Sequence, residues 1–207
     1  MKSSPIQIVV IHDDISELDP LIVELEIKYG KDNVKLIRKS QEGVDYVLNN
    51  LSKKMIVILD LNFKANEPTG VEVFEDIRKK TSLVYIIIWT ASDLNNIHSE
   101  DLIKFINNDA LAFEYSTADY TRMLELVEKA ANQLDIRIDT ILEEWICKQK
   151  QEEREKAFIL MKGGKILSLN DILESIRQRT HDGVKMEKNI LKLAVDLLAR
   201  QKRELND

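Results

Sequence analysis

One cysteine, three prolines and six glycines among 207 residues leave little material for cross-links, kinks or special turns. The lone Cys147 excludes an internal disulfide and makes a cysteine-based metal site unworkable. It has no partner histidine in a recognisable arrangement and sits on a helical stretch, so it reads as inert. Long apolar runs are missing too. The longest, Ile6–Ile11 and Met55–Leu59, are strand-sized and far short of a membrane span. The N-terminal Met-Lys-Ser-Ser-Pro lacks the apolar core of a secretory signal. No membrane association and a cytoplasmic location are therefore expected. Basic charge is scarce where it would matter for nucleic acid. Residues 1–134 carry 15 Lys/Arg against 22 Asp/Glu, which argues against a nucleic-acid surface there. Residues 135–207 are nearly neutral, and the mild basic excess of 161–203 reads as a solvated helical face.

What is present is an alternation. Ile6–Ile11, Val34–Ile37, Met55–Leu59, Leu83–Trp89 and Leu111–Tyr115 are short apolar runs rich in β-branched residues, the pattern of buried parallel strands. Between them, Pro20–Tyr29, Gln41–Leu51, Gly70–Lys80 and Ser99–Asn107 repeat apolar residues at helical spacing, with Gly30 as a stop. In the third of these helices Val71, Phe74 and Ile77 are expected inward. Five such units call for an α/β fold with a doubly wound parallel sheet covered on both faces. Ligand sites in such sheets lie at the carboxyl ends of the strands.

Those ends carry the chemistry. Asp13 and Asp14 follow the first strand, Asp60 the third, and Thr90 the fourth. The three strands are neighbours in a sheet of this kind, so the side chains should converge. Three close carboxylates repel unless a cation sits among them, and oxygen ligands suit Mg²⁺ or Mn²⁺. A carboxylate with one free oxygen can attack phosphorus to give an acyl phosphate.

On the segments IVVIHDD, ILDLN and IIIWTAS, residues from about 5 to 134 resemble the receiver family of two-component response regulators. The resemblance implies a flavodoxin-like five-stranded sheet and phosphoryl transfer from a histidine kinase or phosphotransfer protein. It places Asp13, Asp14 and Asp60 as metal ligands, with the backbone carbonyl of Asn62. Asp60 is the implied phosphoacceptor, Thr90 the switch hydroxyl, Ala91 the small residue beside it and Phe113 the aromatic switch. Three departures accompany it. The family's strand-5 lysine aligns with Ser116, so phosphorylation would be offset or read out weakly. Gly70 comes two residues later than the family's glycine. His12 precedes the acid pair where an aliphatic residue or aspartate is common, and it reads as a packing or hydrogen-bonding residue. Trp89 reads as core.

Beyond Asp119 the pattern is all helical. Met123 to Trp145 keep helical spacing without a Gly or Pro, so the last helix of the sheet domain is expected to run on to about Lys156. The expected organisation is a receiver-like domain over 1–134, an extended helix and linker over 135–160, and a small helical region over 161–207. Gly163-Gly164 reads as a turn rather than a phosphate loop. Ser168 to Asp171 reads as an N-cap and acidic first turn. Helices are expected over Ile172–Arg179 and Lys185–Arg203, with no strands. Ile190, Leu191, Leu193, Ala194, Leu197 and Leu198 are expected to form a wide buried face on the last helix.

No cyclase, phosphodiesterase or methylesterase output has room in this region. The expectation is a non-enzymatic, atypical response regulator that takes a phosphoryl group on Asp60 with Mg²⁺. It would signal through its C-terminal helices to a partner protein, or as a homodimer. The alternative is a phosphorylation-independent adaptor. DNA binding ranks below both, because few polar residues remain on the last helix to reach base edges.

Overall fold

The computed structural model describes residues 5–91, 96–115, 119–161 and 164–204. The chain divides into two compact units, Met1–Thr140 and Ile141–Asp207.

The first unit is the alternation read from the sequence. Strands β1 (Gln7–Ile11), β2 (Val34–Ile37), β3 (Met55–Leu59), β4 (Tyr85–Thr90) and β5 (Ala112–Tyr115) form one sheet in the order β2-β1-β3-β4-β5. Every pairing is parallel. Helices α1 (Pro20–Tyr29), α2 (Ser40–Asn49), α3 (Gly70–Lys80), α4 (Ser99–Asn107) and α5 (Tyr120–Ile136) make the crossovers and cover the sheet. Side chains alternate across a strand, so two buried faces require apolar residues at every position. Val9, Ile11, Val57 and Leu59 pack with Val44 and Val47 of α2, Val73, Phe74 and Ile77 of α3, and Phe105 of α4. Ile8, Val10, Ile56 and Ile58 face the other way, against Leu21, Ile22 and Leu25 of α1 and Met123, Val127 and Ala130 of α5. In α3 Phe74 and Ile77 point inward as expected, but the third fully buried side chain is Val73, while Val71 packs only partly buried at the margin.

The underside of α3 is held by one side chain. Arg78 donates to the carbonyls of Asn108 (2.7 Å), Asp109 (3.0 Å) and Val84 (2.8 Å), and lies 5.2 Å from the Phe74 ring centre. Burial pushes its guanidinium down to about 10. It thus ties the end of α3 to the start of β4 and to the turn before β5. Removing it would leave three carbonyls short of a charged donor. Arg78→Ala is expected to lower unfolding free energy by about 3 kcal/mol, read from urea melts. Arg78→Lys should recover little, since an ammonium cannot fork; full recovery by lysine would contradict this account.

The extended helix expected to about Lys156 is not there. α5 stops at Ile136, Arg137 adopts an extended conformation (φ −74°, ψ 127°), and α6 (Ile138–Cys147) begins afresh. Arg137 lies 5.1 Å from the Tyr85 ring centre and pairs with Asp139, whose carboxylate accepts the Thr140 N–H at 2.9 Å. The break therefore has its own side-chain support, and neither Gly nor Pro is needed to make it. A second interruption separates α6 from the short α7 (Gln151–Glu155).

The second unit contains a β-hairpin that the sequence reading lacked. Strand β6 (Ala157–Leu160) pairs antiparallel with β7 (Ile166–Ser168). Gly164, at φ +85°, donates to the Met161 carbonyl at 3.1 Å in the turn; Gly163 lies outside the described residues. Ser168 and Asp171 form a reciprocal capping box that starts α8 (Leu169–Arg177), at the N-cap read from the sequence. Arg177 pairs with Glu143 at 2.6 Å, and Trp145 stands 6.1 Å from Phe158. Burial pushes the Cys147 thiol up, away from a reactive thiolate.

The last helix, α9 (His181–Glu204), includes His181, Asp182 and Gly183 in its first turn. A Cβ on Gly183 would sit 2.2 Å from the Ser175 carbonyl oxygen, so α8 and α9 meet through glycine. The expected buried face is a correction. Leu191, Leu193, Leu197 and Leu198 are exposed, and Ile190 is only partly buried. The reason is length: at 24 residues α9 spans about 36 Å, whereas α8 has nine residues. Its second half outruns the helix it packs on. Among the described residues, no helix is long and apolar enough to cross a membrane.

Candidate functional site

The carboxyl edge of the sheet carries a cleft of about 470 Å³ lined by His12, Asp13, Asp14, Asp60, Asn62, Phe63, Lys64 and Ala91. Sheet register places its floor. Ile11 pairs with Leu59 and Ile37, the Asp60 N–H donates to the Ile11 carbonyl at 3.0 Å, and the His12 N–H donates to that of Ile37 at 3.0 Å. The first residues past β1 and β3 are therefore side by side. Asp60 is 5% exposed and His12 9%.

The groups that could share an ion are His12, Asp13 and Asp60, whose donor atoms all lie within 4.8 Å of one another. His12 Nδ1 is 3.8 Å from Asp60 Oδ2. Asp14 is placed differently from Asp13. Its N–H donates to His12 Nδ1 at 3.2 Å and it helps line the cleft, outside that three-residue group. β1 ends at Ile11, so His12 occupies the first place past the strand and Asp13 the second. The sequence reading had counted the pair from Asp13.

Asp60 accepts the Asn62 N–H on Oδ1 at 3.2 Å, and the Asn62 side-chain amide donates to Thr90 Oγ1 at 3.4 Å. Asn62 so links the ends of β3 and β4. Thr90 is buried, and Ala91 next to it lines the cleft. Burial pushes the Asp60 carboxyl above the usual carboxylate range. His12 and the amides of Asn62 and Leu61 oppose this, and the neighbouring Asp13 adds to it. A buried carboxylate beside a second acid and an imidazole is a fitting donor set for a divalent cation.

The loop from β3 to α3 closes tightly over the floor. Gly70 donates to the Leu61 carbonyl at 3.1 Å, and Thr69 and Glu72 form a capping box at the start of α3. Phe113, on β5 opposite Ile88, packs partly buried against Phe105 at 5.3 Å between ring centres. Ser116 lies outside the described residues. His12 was read as a packing or hydrogen-bonding residue, and its edge contact with Trp89 (5.1 Å) and the Asp14 N–H on its Nδ1 (3.2 Å) are both there. One lining residue was missed in the sequence. Lys64 gave no signal, because nothing in its spacing marks a loop residue as part of the cleft.

Neither the protein-family models nor the curated proteins yield a match to this sequence. Solved structures do. The chain is similar to the receiver domain of a CheY-like response regulator receiver domain protein from Methanospirillum hungatei, with 22% identity over 63% of this chain and 97% of that one (TM-score 0.51). It is also similar to a signal receiver domain from Vibrio parahaemolyticus, with 16% identity over 63% of this chain and 92% of that one (TM-score 0.51). A third is the receiver domain of NtrX from Brucella abortus, with 15% identity over 61% of this chain and 98% of that one (TM-score 0.50). At these identities the likeness is one of fold. The first unit has the flavodoxin-like fold of response regulator receiver domains.

Proposed function

We propose that the first unit is a phosphoacceptor module in which Asp60 takes a phosphoryl group with the help of a divalent cation, Mg²⁺ or Mn²⁺. The observation that carries this is the meeting of Asp60, Asp13 and His12 at the carboxyl edge of the sheet, with Asn62 reaching Thr90 across the same edge. The Asp60 carboxylate oxygen that the ion leaves free attacks phosphorus, the bond from phosphorus to the donor's leaving group breaks, and the acyl phosphate remains on Asp60. A bound cation would supply positive charge against the phosphoryl oxygens. Asp13, Asp60 and the backbone carbonyl of Asn62 hold it in this reading. Thr90 is the hydroxyl that a phosphoryl oxygen engages, and Lys64 adds a positive side chain at the rim. Ser116 takes the place of a lysine, which would leave coupling to Phe113 weak.

The donor is a histidine kinase or phosphotransfer protein, and the C-terminal unit passes the state on. Support for a protein partner there is the run of exposed apolar residues from Leu191 to Leu198 on α9, which leaves few polar side chains in that stretch to reach base edges. Incubation with acetyl phosphate and Mg²⁺ or Mn²⁺ is expected to add one phosphoryl mass to the intact chain, and Asp60→Ala should abolish it. A chain that never gains the adduct, or gains it equally in Asp60→Ala, leaves the adaptor reading standing instead.

A further inference from the structure

We propose that His12 is itself a ligand of the cation, so that the cleft favours first-row transition ions over Mg²⁺. This rests on the reading of the cleft as a cation site and concerns which ion it takes. Three observations support it. First, His12 stands at the first position past β1, directly beside Asp60, and its donor atom lies within 4.8 Å of those of Asp13 and Asp60. Second, the side chain is oriented and nearly enclosed. It is 9% exposed, its ring meets Trp89 edge-on at 5.1 Å, and the Asp14 N–H reaches Nδ1 at 3.2 Å. The amide hydrogen at Nδ1 places the ring proton on Nε2, and the Nδ1 lone pair that this amide now holds is the one an entering ion would take in its place. Third, Nδ1 and Asp60 Oδ2 lie 3.8 Å apart, a separation that one shared ion can span once it displaces the Asp14 amide.

The ligand chemistry then sets the preference. Mg²⁺ takes oxygen donors in a strict octahedral shell, and imidazole adds little for it. Mn²⁺, Co²⁺ and Zn²⁺ accept an imidazole nitrogen together with carboxylates, with affinity rising from Mn²⁺ to Co²⁺. Trp89 packs one side of the imidazole and limits the room for it to swing out. The simpler role for His12, a packing residue, accounts for the Trp89 contact.

The test uses the full chain and Mn²⁺ alone, without phosphodonor. Electron spin-echo spectroscopy of bound Mn²⁺ is expected to show nitrogen modulation from an imidazole, lost in His12→Gln. Calorimetry should show Mn²⁺ affinity falling by about tenfold or more in that variant, and His12→Asp should raise Mg²⁺ affinity relative to Mn²⁺. Mn²⁺ bound without nitrogen coupling, coupling that persists in His12→Gln, or no Mn²⁺ binding at all would each overturn the inference. The phosphoryl adduct on Asp60 is read separately. An adduct with no nitrogen coupling defeats only this inference, and coupling with no adduct defeats only the phosphoacceptor reading.

Discussion

Gly70→Ala is expected to destabilise the first unit by about 3 kcal/mol and to abolish phosphoryl capture on Asp60. A Cβ at this position would lie 2.1 Å from the Asp60 carbonyl oxygen and 2.5 Å from the Leu61 Cα. Both are backbone atoms of the strand end that carries the acceptor, so neither can yield by a rotamer change. Either α3 lifts away from β3, with loss of the bond from the Gly70 N–H to the Leu61 carbonyl, or the Asp60 backbone shifts out of register with His12. Gly43→Ala is the matched comparison. Its Cβ would meet the Ile11 side chain at 2.7 Å, which a methyl shift can relieve in part. Urea unfolding of the two variants should rank Gly70→Ala as the more damaging. Equal or milder damage at Gly70 would mean that the loop relaxes freely and does not fix Asp60.

Asp60→Asn, by contrast, should melt higher than the unsubstituted chain at neutral pH in the presence of a chelator. The Asp60 carboxyl is held above its ordinary range chiefly by burial. The native state then binds its proton more tightly than the unfolded chain does. As pH rises from the ordinary carboxylate value through the raised native one, stability falls, and above that it levels off. The asparagine has no charge to desolvate and no repulsion with Asp13, so it should lack this decline. Adding Mn²⁺ should raise the melting temperature of the unsubstituted chain and raise that of Asp60→Asn much less, because the variant lacks the buried carboxylate among the ion's ligands. A variant that melts lower than its parent at pH 7 without divalent ions would show that the buried carboxylate is not a source of strain.

Much of the first unit was legible because each strand is buried on two faces, which writes itself as a continuous apolar run. Met55–Leu59 and the helix over Gly70–Lys80 came out with the observed bounds. Asp60 and Thr90 were placed at strand ends by the same logic. What escaped depended on side chains that periodicity does not report. The helical spacing from Met123 to Trp145 continues straight through Arg137, yet the Arg137 contacts with Tyr85 and Asp139 stop the helix there. Strands of four and three residues at Ala157–Leu160 and Ile166–Ser168 are too short to show a period. The apolar residues of α9 were assigned to a core because spacing says which residues share a face, and nothing about how far the covering helix extends. His12 was read for its packing and hydrogen bonding, and its nearness to Asp60 comes from the pairing of Ile11 with Leu59, a register that the apolar pattern of the strands does not show.

The chain holds two tryptophans, and the fold allots one to each unit. Trp89 touches the His12 ring at the cleft, while Trp145 lies by Phe158 of the hairpin. Intrinsic fluorescence is therefore a mixture of two local signals that one substitution can separate. In Trp145→Phe the remaining emission reports ion or phosphoryl capture beside β1 and β4. In Trp89→Phe it reports the hairpin and α6. Any change in Trp145 emission on loading the cleft would then be a direct optical record of the first unit acting on the second.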